Sequence, residues 1–234
     1  MDTPQDQMND ILAEVERGFH RSRLFTDGVR QFFESHPDLR SGPLPVIHST
    51  KSRMKSPASL ADKIARKNSG GAGITPENVF NRITDLGGVR VLHLHLRQFE
   101  PIHEAISKQV ADGEWVLDEQ PAAYTWDPEA RSFFETFGLC VEQKESFYTS
   151  VHYLVRPREA APWCCEIQVR TLFEEIWGEI DHFVNYPYPT DSLAVSEQLR
   201  VLAKLVATGS RLADAIFTVH ARPDRADERR PEDP

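Results

Sequence analysis

The sequence predicts an α/β fold of the α+β kind: a mixed, about five-stranded sheet flanked by helices, with helical extensions at both ends. Three observations carry this. In "GVRVLHLHL" and "CEIQVR" apolar residues alternate with polar or charged ones, the period of a strand. Elsewhere apolar residues recur every three to four positions, the period of an amphipathic helix. The chain has 234 residues, 40% of them apolar, which suffices for one α/β domain with a real core.

The elements follow in order. Met8, Ile11, Leu12, Val15 and Phe19 share a helical face over residues 8–20, and a second short helix is expected around Val29, Phe32 and Phe33, after Gly28. "SHPDLRSGPLP" holds three prolines and one glycine and reads as a connector. An extended segment begins at Val46. Ser56-Pro57 reads as an N-cap with proline at the first helical position, opening a helix to about Lys67. "NSGGAGITPEN" reads as a mobile loop: it lacks GxGxxG, and no Lys-Ser or Lys-Thr follows Gly73 as a phosphate loop requires. Thr75-Pro76 opens a short helix to Ile83. A strong strand spans 88–96, and Phe99, Ile102, Ile106 and Val110 mark the helix after it. "EWVLDE" and "GLCVEQK" are weaker strands, while "TSVHYLVRP" and "WCCEIQVR" form a hairpin. Helices are expected over 171–185 and about 192–220. The last fourteen residues hold nine charges and are expected to be disordered. The chain thus divides into a helical extension (1–42), an α/β core (43–186), a second helical extension (187–220) and a tail (221–234).

Composition excludes several classes. The mean hydropathy is −0.47, and no apolar run approaches the ~20 residues of a membrane span. "MDTPQDQMND" lacks the basic and apolar segments of a signal peptide. Cys140, Cys164 and Cys165 are odd in number and two are adjacent, which suits neither a disulfide framework nor zinc. A reducing cytoplasm is the simplest setting. The formal charge of −9 argues against a protein that coats nucleic acid.

One basic island interrupts this acidity. Lys51 to Lys67 carry six bases and one acid, a local net of 6 − 1 = +5. On the helix from Pro57, Ser59, Lys63 and Arg66 or Lys67 share a face, with Leu60 and Ile64 on a neighbouring stripe suited to the sheet. Arg53 and Lys55, two apart on the extended segment, point the same way. A helix N-terminus fed by such a segment suits a polyphosphate, because N–H groups, helix dipole and ammonium groups favour the same anion. Charge alone fits a solvated helix face equally well. Asp85, before the strand at Gly88, has the chemistry of a Mg²⁺ ligand, although turn chemistry explains such a residue too. Alternation places Glu166, Gln168 and Arg170 on one strand face. If that face lines a cleft, Glu166 supplies a second carboxylate opposite Asp85 and Arg170 binds phosphate or orients a carboxylate. The other reading is a half-exposed sheet face with a salt bridge. His93 and His95 read as core or interface residues, Cys164 and Cys165 as packing residues, and Tyr124 and Trp126 as a loop with a surface apolar contact.

"RMKSPASLADKIARK", "DLGGVRV", "YTSVH" and "EIQVRT" recur in this order in RelA/SpoT-type alarmone synthetase domains, which residues 46 to 185 resemble. The spacing Arg-x-Lys-x3-Ser-x3-Lys is met by Arg53, Lys55, Ser59 and Lys63. The resemblance implies a nucleotidyltransferase-like fold and a magnesium-dependent pyrophosphokinase that moves the β,γ-pyrophosphate of ATP to the ribose 3′-hydroxyl of GDP or GTP. It implies that Arg53 and Arg90 sandwich the adenine, and that Lys55, Ser59, Lys63 and Arg66 hold the ATP phosphates. Asp85 binds Mg²⁺ and helps activate the hydroxyl, with Glu166 supporting metal or acceptor. Tyr148 stacks on the acceptor base, Lys144 and His152 contact its phosphates, and Gln168 and Arg170 complete the floor.

The acceptor loop departs from the family pattern. Ser146-Phe147-Tyr148-Thr149 stands where such domains usually read Asn-Gly-Tyr followed by Arg or Gln. Adenine nucleotides or the terminal adenosine of tRNA are therefore alternative acceptors, and a nucleotide-binding module with weak catalysis is a further reading. No His-Asp dipeptide occurs, so the metal-dependent hydrolase of long family members is not expected. The pattern is that of a stand-alone small synthetase. The apolar faces of the terminal helices suit packing on their own domain, on a second copy of the chain or on a partner such as an antitoxin.

Overall fold

The computed structural model describes residues 4–71 and 73–220; the tail expected to be disordered, 221–234, lies outside the described residues. Its elements in chain order are α1 (Pro4–Ser35), α2 (Pro37–Arg40), β1 (Ser49–Met54), α3 (Pro57–Ser69), α4 (Val79–Arg82), β2 (Gly87–His93), a 3-10 turn (Leu96–Gln98), α5 (Phe99–Ala111), β3 (Val116–Leu117), β4 (Ala122–Thr125), α6 (Pro128–Glu135), β5 (Cys140–Gln143), β6 (Ser150–Arg156), β7 (Cys165–Thr171), α7 (Leu172–Asn185) and α8 (Leu193–His220).

α1 is one unbroken helix where the sequence predicts two. Gly28 is exposed, and a helical glycine there costs about 1 kcal/mol relative to alanine. Val29 and Phe33, 1% and 0% exposed, outweigh it, since each buried side chain of this size contributes about 1.5–3 kcal/mol. α3 begins as its sequence dictates: the Ser56 hydroxyl accepts from the Ser59 N–H, and Pro57 occupies the first turn.

The sheet has seven strands, in the order β1-β2-β7-β6-β4-β5, with β3 also on β6. The two beyond expectation are β1, read only as an extended segment, and β4, which takes Tyr124 out of its expected loop. β2 and β7 are parallel; β1–β2, β7–β6 and β6–β4 are antiparallel. The period of two divides the central strands between two faces. Val89, Val91, Val151, Tyr153, Val155, Cys165, Ile167 and Val169 face the main core, together with α5, α6 and the second half of α1. Arg90, His152, Glu166, Gln168 and Arg170 face the other way.

Leu60 and Ile64 do not pack on the sheet as expected. They join a second apolar cluster with Ile11 and Val15 of α1, Val79 and Phe80 of α4, and Trp163. This cluster fixes α3, and with it the basic island, beside the start of β2. α7 and α8 pack on each other through Trp177, Ala203 and Val206, and the Trp177 Nε1–H donates to the Leu199 carbonyl at 3.0 Å.

Candidate active site

Strand register builds the site. Lys51, Arg90, Gln168 and His152 are consecutive partners across β1, β2, β7 and β6; Arg53, Gly88, Glu166 and Leu154 form the next row. Neighbouring strands lie ~4.8 Å apart, so side chains distant in sequence share one floor. The face set by alternation in "EIQVR" lines a cleft, and its Glu166 and Arg170 are also ion-paired there. One cleft of roughly 300 Å³ is lined by Lys51, Arg53, Arg90, Glu166, Gln168 and His182. An adjoining one of roughly 310 Å³ is lined by Tyr148, Arg170, Gly178, Asp181 and Tyr186, and shares Arg90, Gln168 and His182 with the first.

Asp85 sits just before β2, between two of the island's lysines. Lys55 Nζ lies 3.0 Å from its Oδ2 and Lys63 Nζ 2.8 Å from its Oδ1. Burial alone would raise the Asp85 pKa; Lys63 and Lys55 together hold it below the usual carboxylate range. Glu166 is the second carboxylate. His152 Nδ1 donates to its Oε1 at 3.0 Å, and Gln168 Nε2 to its Oε2 at 2.8 Å. Burial again pushes the pKa up, and the negative charge of Asp85 adds to that push; His152 and Gln168 outweigh both, and the pKa is lowered. Asp85 lies just before β2, whose first residues Gly87 and Gly88 pair with Cys165 and Glu166 of β7, so the two carboxylates belong to adjacent strand ends. His152 carries the chain further: its Nε2 and the Tyr148 hydroxyl share a hydrogen bond at 3.0 Å. Burial raises the Tyr148 pKa, so the phenol keeps its proton.

The cations of the floor converge on Glu175, which the sequence reading missed. Only 5% exposed, it pairs with Arg170, with Arg90 at 3.2 Å and with Lys51 at 2.9 Å. Glu179, one turn on, also pairs with Arg90. On paper these acids look like a solvated helix face; the signal was their position in the first turns of a helix following directly on a strand that carries Arg170. The Arg170 guanidinium lies over the Tyr148 ring, 5.7 Å from its centroid. Gly178 makes room for it: a Cβ there would stand 2.8 Å from Arg170 Nη1.

Two predicted residues stand apart. Arg66 lies against Tyr186, donating to its hydroxyl at 3.3 Å with the guanidinium over the ring. Lys144 pairs with Glu142 at 3.2 Å and lies 4.2 Å from the Tyr124 ring centroid, at the margin of the His152 group. Trp126, expected at the surface, belongs to the apolar cluster on Trp177. His93 is a core residue as expected, and His95 pairs with Asp214 at 2.7 Å. A cavity of about 440 Å³ between α8 and the far end of β2 and β7 is lined by His93 and Glu174 and meets the floor at Arg170.

The donor set fits a hard divalent cation shared with a polyphosphate: two carboxylates beside cations able to exchange partners. Among the described residues, no three His, Cys, Asp or Glu side chains form a complete metal cage. No helix among them is long and apolar enough to cross a membrane.

Comparisons with known proteins bear on the family and the fold. The profile of the family described as "Region found in RelA / SpoT proteins" matches residues 52–191. GTP pyrophosphokinase YwaC of Bacillus subtilis (strain 168) is 27% identical over 154 residues, 66% of this chain and 65% of that protein, so the chain matches just under two thirds of its relative's length. The small alarmone synthetase 1 of Bacillus subtilis, solved bound to its product pppGpp, superposes with a TM-score of 0.60 at 20% identity, covering 90% of this chain and 96% of the other. A GTP pyrophosphokinase family protein of Streptococcus pneumoniae gives 0.58 at 19% identity, covering 92% and 94%. At these identities the structural likeness establishes the fold.

Proposed function

Since the chain belongs to the RelA/SpoT family, we propose that it transfers the β,γ-pyrophosphate of ATP to the ribose 3′-hydroxyl of GDP or GTP. The observation that carries this reading is a pair of adjoining clefts floored by Glu166, Arg53 and Arg90, with Asp85, held by Lys55 and Lys63, at the neighbouring strand end. One cleft suits the donor and the other the acceptor, with the transferred group between them. The acceptor 3′-oxygen attacks the β-phosphorus, the bond to the α,β-bridging oxygen breaks, and AMP leaves with the electron pair. The 3′-proton passes to a carboxylate of the pair. Such transfers need alignment and charge neutralisation more than covalent help.

The chain's residues divide the work. Arg53 and Arg90 offer planar guanidinium faces to a base. Lys55 and Lys63 compensate Asp85 at rest. A triphosphate draws them away, which frees Asp85 for a cation at the moment the phosphates arrive. Glu166, held by His152 and Gln168, lines the neighbouring cleft. When bound, Mg²⁺ held by Asp85 and Glu166 supplies charge neutralisation at the phosphates. Tyr148, fixed by His152 and Arg170, is the stacking surface of the acceptor cleft. Glu179 and Asp181 on the rim oppose a long polyanion and favour a mononucleotide over tRNA. The three free thiols suit a reducing cytoplasm.

The test offers labelled ATP and Mg²⁺ with GDP, GTP, AMP, ADP and deacylated tRNA in parallel. Label in a guanosine product is the expected result. Label only in tRNA or an adenine nucleotide overturns the acceptor assignment, and transfer to none overturns the enzyme reading.

A further inference from the structure

We propose that Phe147 is a positioning residue of the acceptor cleft: its ring pins the 146–149 loop to α7 and α8, and this anchor holds Tyr148 in place. The inference rests on the function proposed above and names what fixes its acceptor platform. Phe147 has φ 61°, the only positive value among the described non-glycine residues. That left-handed region is unfavourable for a bulky L-residue and persists only where the surroundings impose it.

The imposing contacts are specific. The Phe147 ring meets Trp126 edge-on with centroids 5.0 Å apart, and the Arg200 guanidinium of α8 lies 5.7 Å above it. With Trp126 and Phe173 it packs against Trp177, Ala203 and Val206, of which Trp177 is 4% exposed. The next residue turns to the cleft, where the Tyr148 hydroxyl shares a hydrogen bond with His152 and Arg170 lies over its ring. Both side chains pack against the Trp177 cluster, and Tyr148 in addition reaches the cleft with its hydroxyl. A glycine at 147 would adopt this φ freely yet offer no ring to the helices. The loop gives up backbone ease for an anchor. α8, which lies outside the two clefts, thereby reaches the acceptor platform through Arg200, Ala203 and Val206.

Phe147→Gly and Trp126→Ala test this in the full chain. Trp126 lines neither cleft and meets the Phe147 ring directly, while Tyr148 packs against the same Trp177 cluster. Both variants are expected to raise the KM for GDP about tenfold while the KM for ATP stays within about twofold, one tenfold step being about 1.4 kcal/mol. Amide hydrogen exchange, which needs no substrate, is expected to accelerate about tenfold at 145–149 and to stay unchanged at 165–171. Unchanged exchange at 145–149, or an unchanged KM for GDP in both folded variants, overturns the proposal. If Phe147→Gly fails to fold, Trp126→Ala and Arg200→Ala carry the same two readouts. If the wild type transfers nothing to any acceptor, the functional reading fails on its own and the exchange data still decide the anchor.

Discussion

Glu175→Gln should unfold this protein's site before it touches its chemistry. The carboxylate faces three cations of unequal burial: side-chain exposure is 3% for Arg170, 23% for Arg90 and 57% for Lys51. The Lys51 pair is largely solvated and contributes at most about 1 kcal/mol. Arg90 retains Glu179, which limits its loss. Arg170 is fully enclosed and loses its ionic partner, and breaking one side of a buried pair costs about 3–5 kcal/mol. Glutamine keeps the volume and one acceptor, so the lower bound, about 3 kcal/mol, is the expectation. Urea denaturation of wild type and variant at one pH reads it as a shift in midpoint at constant slope. Glu179→Gln, at an exposed site, is the control and should cost under about 1 kcal/mol. A loss below about 1 kcal/mol for Glu175→Gln would refute the idea that the floor cations are held by one buried anion. Arg170→Met with Glu175→Leu should then recover part of the loss, because an apolar pair removes both buried charges.

Two further outcomes follow from buried groups around the floor. Burial raises Glu174 to about 7 and lowers His93 to about 4. The Glu174 contribution is full below its unfolded value of ~4.5 and is lost as pH rises through 7; that of His93 is full above ~6.5 and is lost as pH falls toward 4. The two slopes oppose each other between pH 4.5 and 6.5, so Glu174→Gln should gain on the order of 3 kcal/mol relative to wild type between pH 4.5 and 7; equal urea midpoint differences at both pH values would contradict this. Gly178→Ala should destabilise despite the ~1 kcal/mol that alanine ordinarily adds to a helix, because its Cβ displaces the buried Arg170 guanidinium. Its urea midpoint should fall and its KM for GDP rise, and a stabilised variant with unchanged KM would count against the packing described.

The sequence discloses what local periodicity determines and conceals what only the sheet assembles. Alternation in "EIQVR" and the Ser56-Pro57 cap are short-range devices, and both elements stand where the residues put them. β4 and α6 were missed although Asp127-Pro128 is a capping signal, with the Asp127 carboxylate accepting from the Glu129 N–H at 3.0 Å. β4 has only four residues and depends on its neighbours β5 and β6. The helix expected to break at Gly28 continues because burial of Val29 and Phe33 outweighs propensity. Glu175 could not be read as a hub, since its partners arrive from β1, β2 and β7 and no spacing in one dimension encodes that meeting. Phe147 shows the reverse case: the departure was visible in the sequence, but not that the left-handed backbone survives it.

The central claim is that Asp85 and Glu166 share one polyphosphate and one divalent ion with Lys55 and Lys63. Pyrophosphate transfer from labelled ATP by Asp85→Asn tests it most directly. The variant keeps the shape of the side chain and removes the charge, leaving Lys55 and Lys63, 14% and 25% exposed, facing a neutral amide. The account predicts a folded variant that loses at most about 3 kcal/mol of stability and transfer reduced about a thousandfold. Transfer within tenfold of wild type, in a variant that is folded, would contradict it.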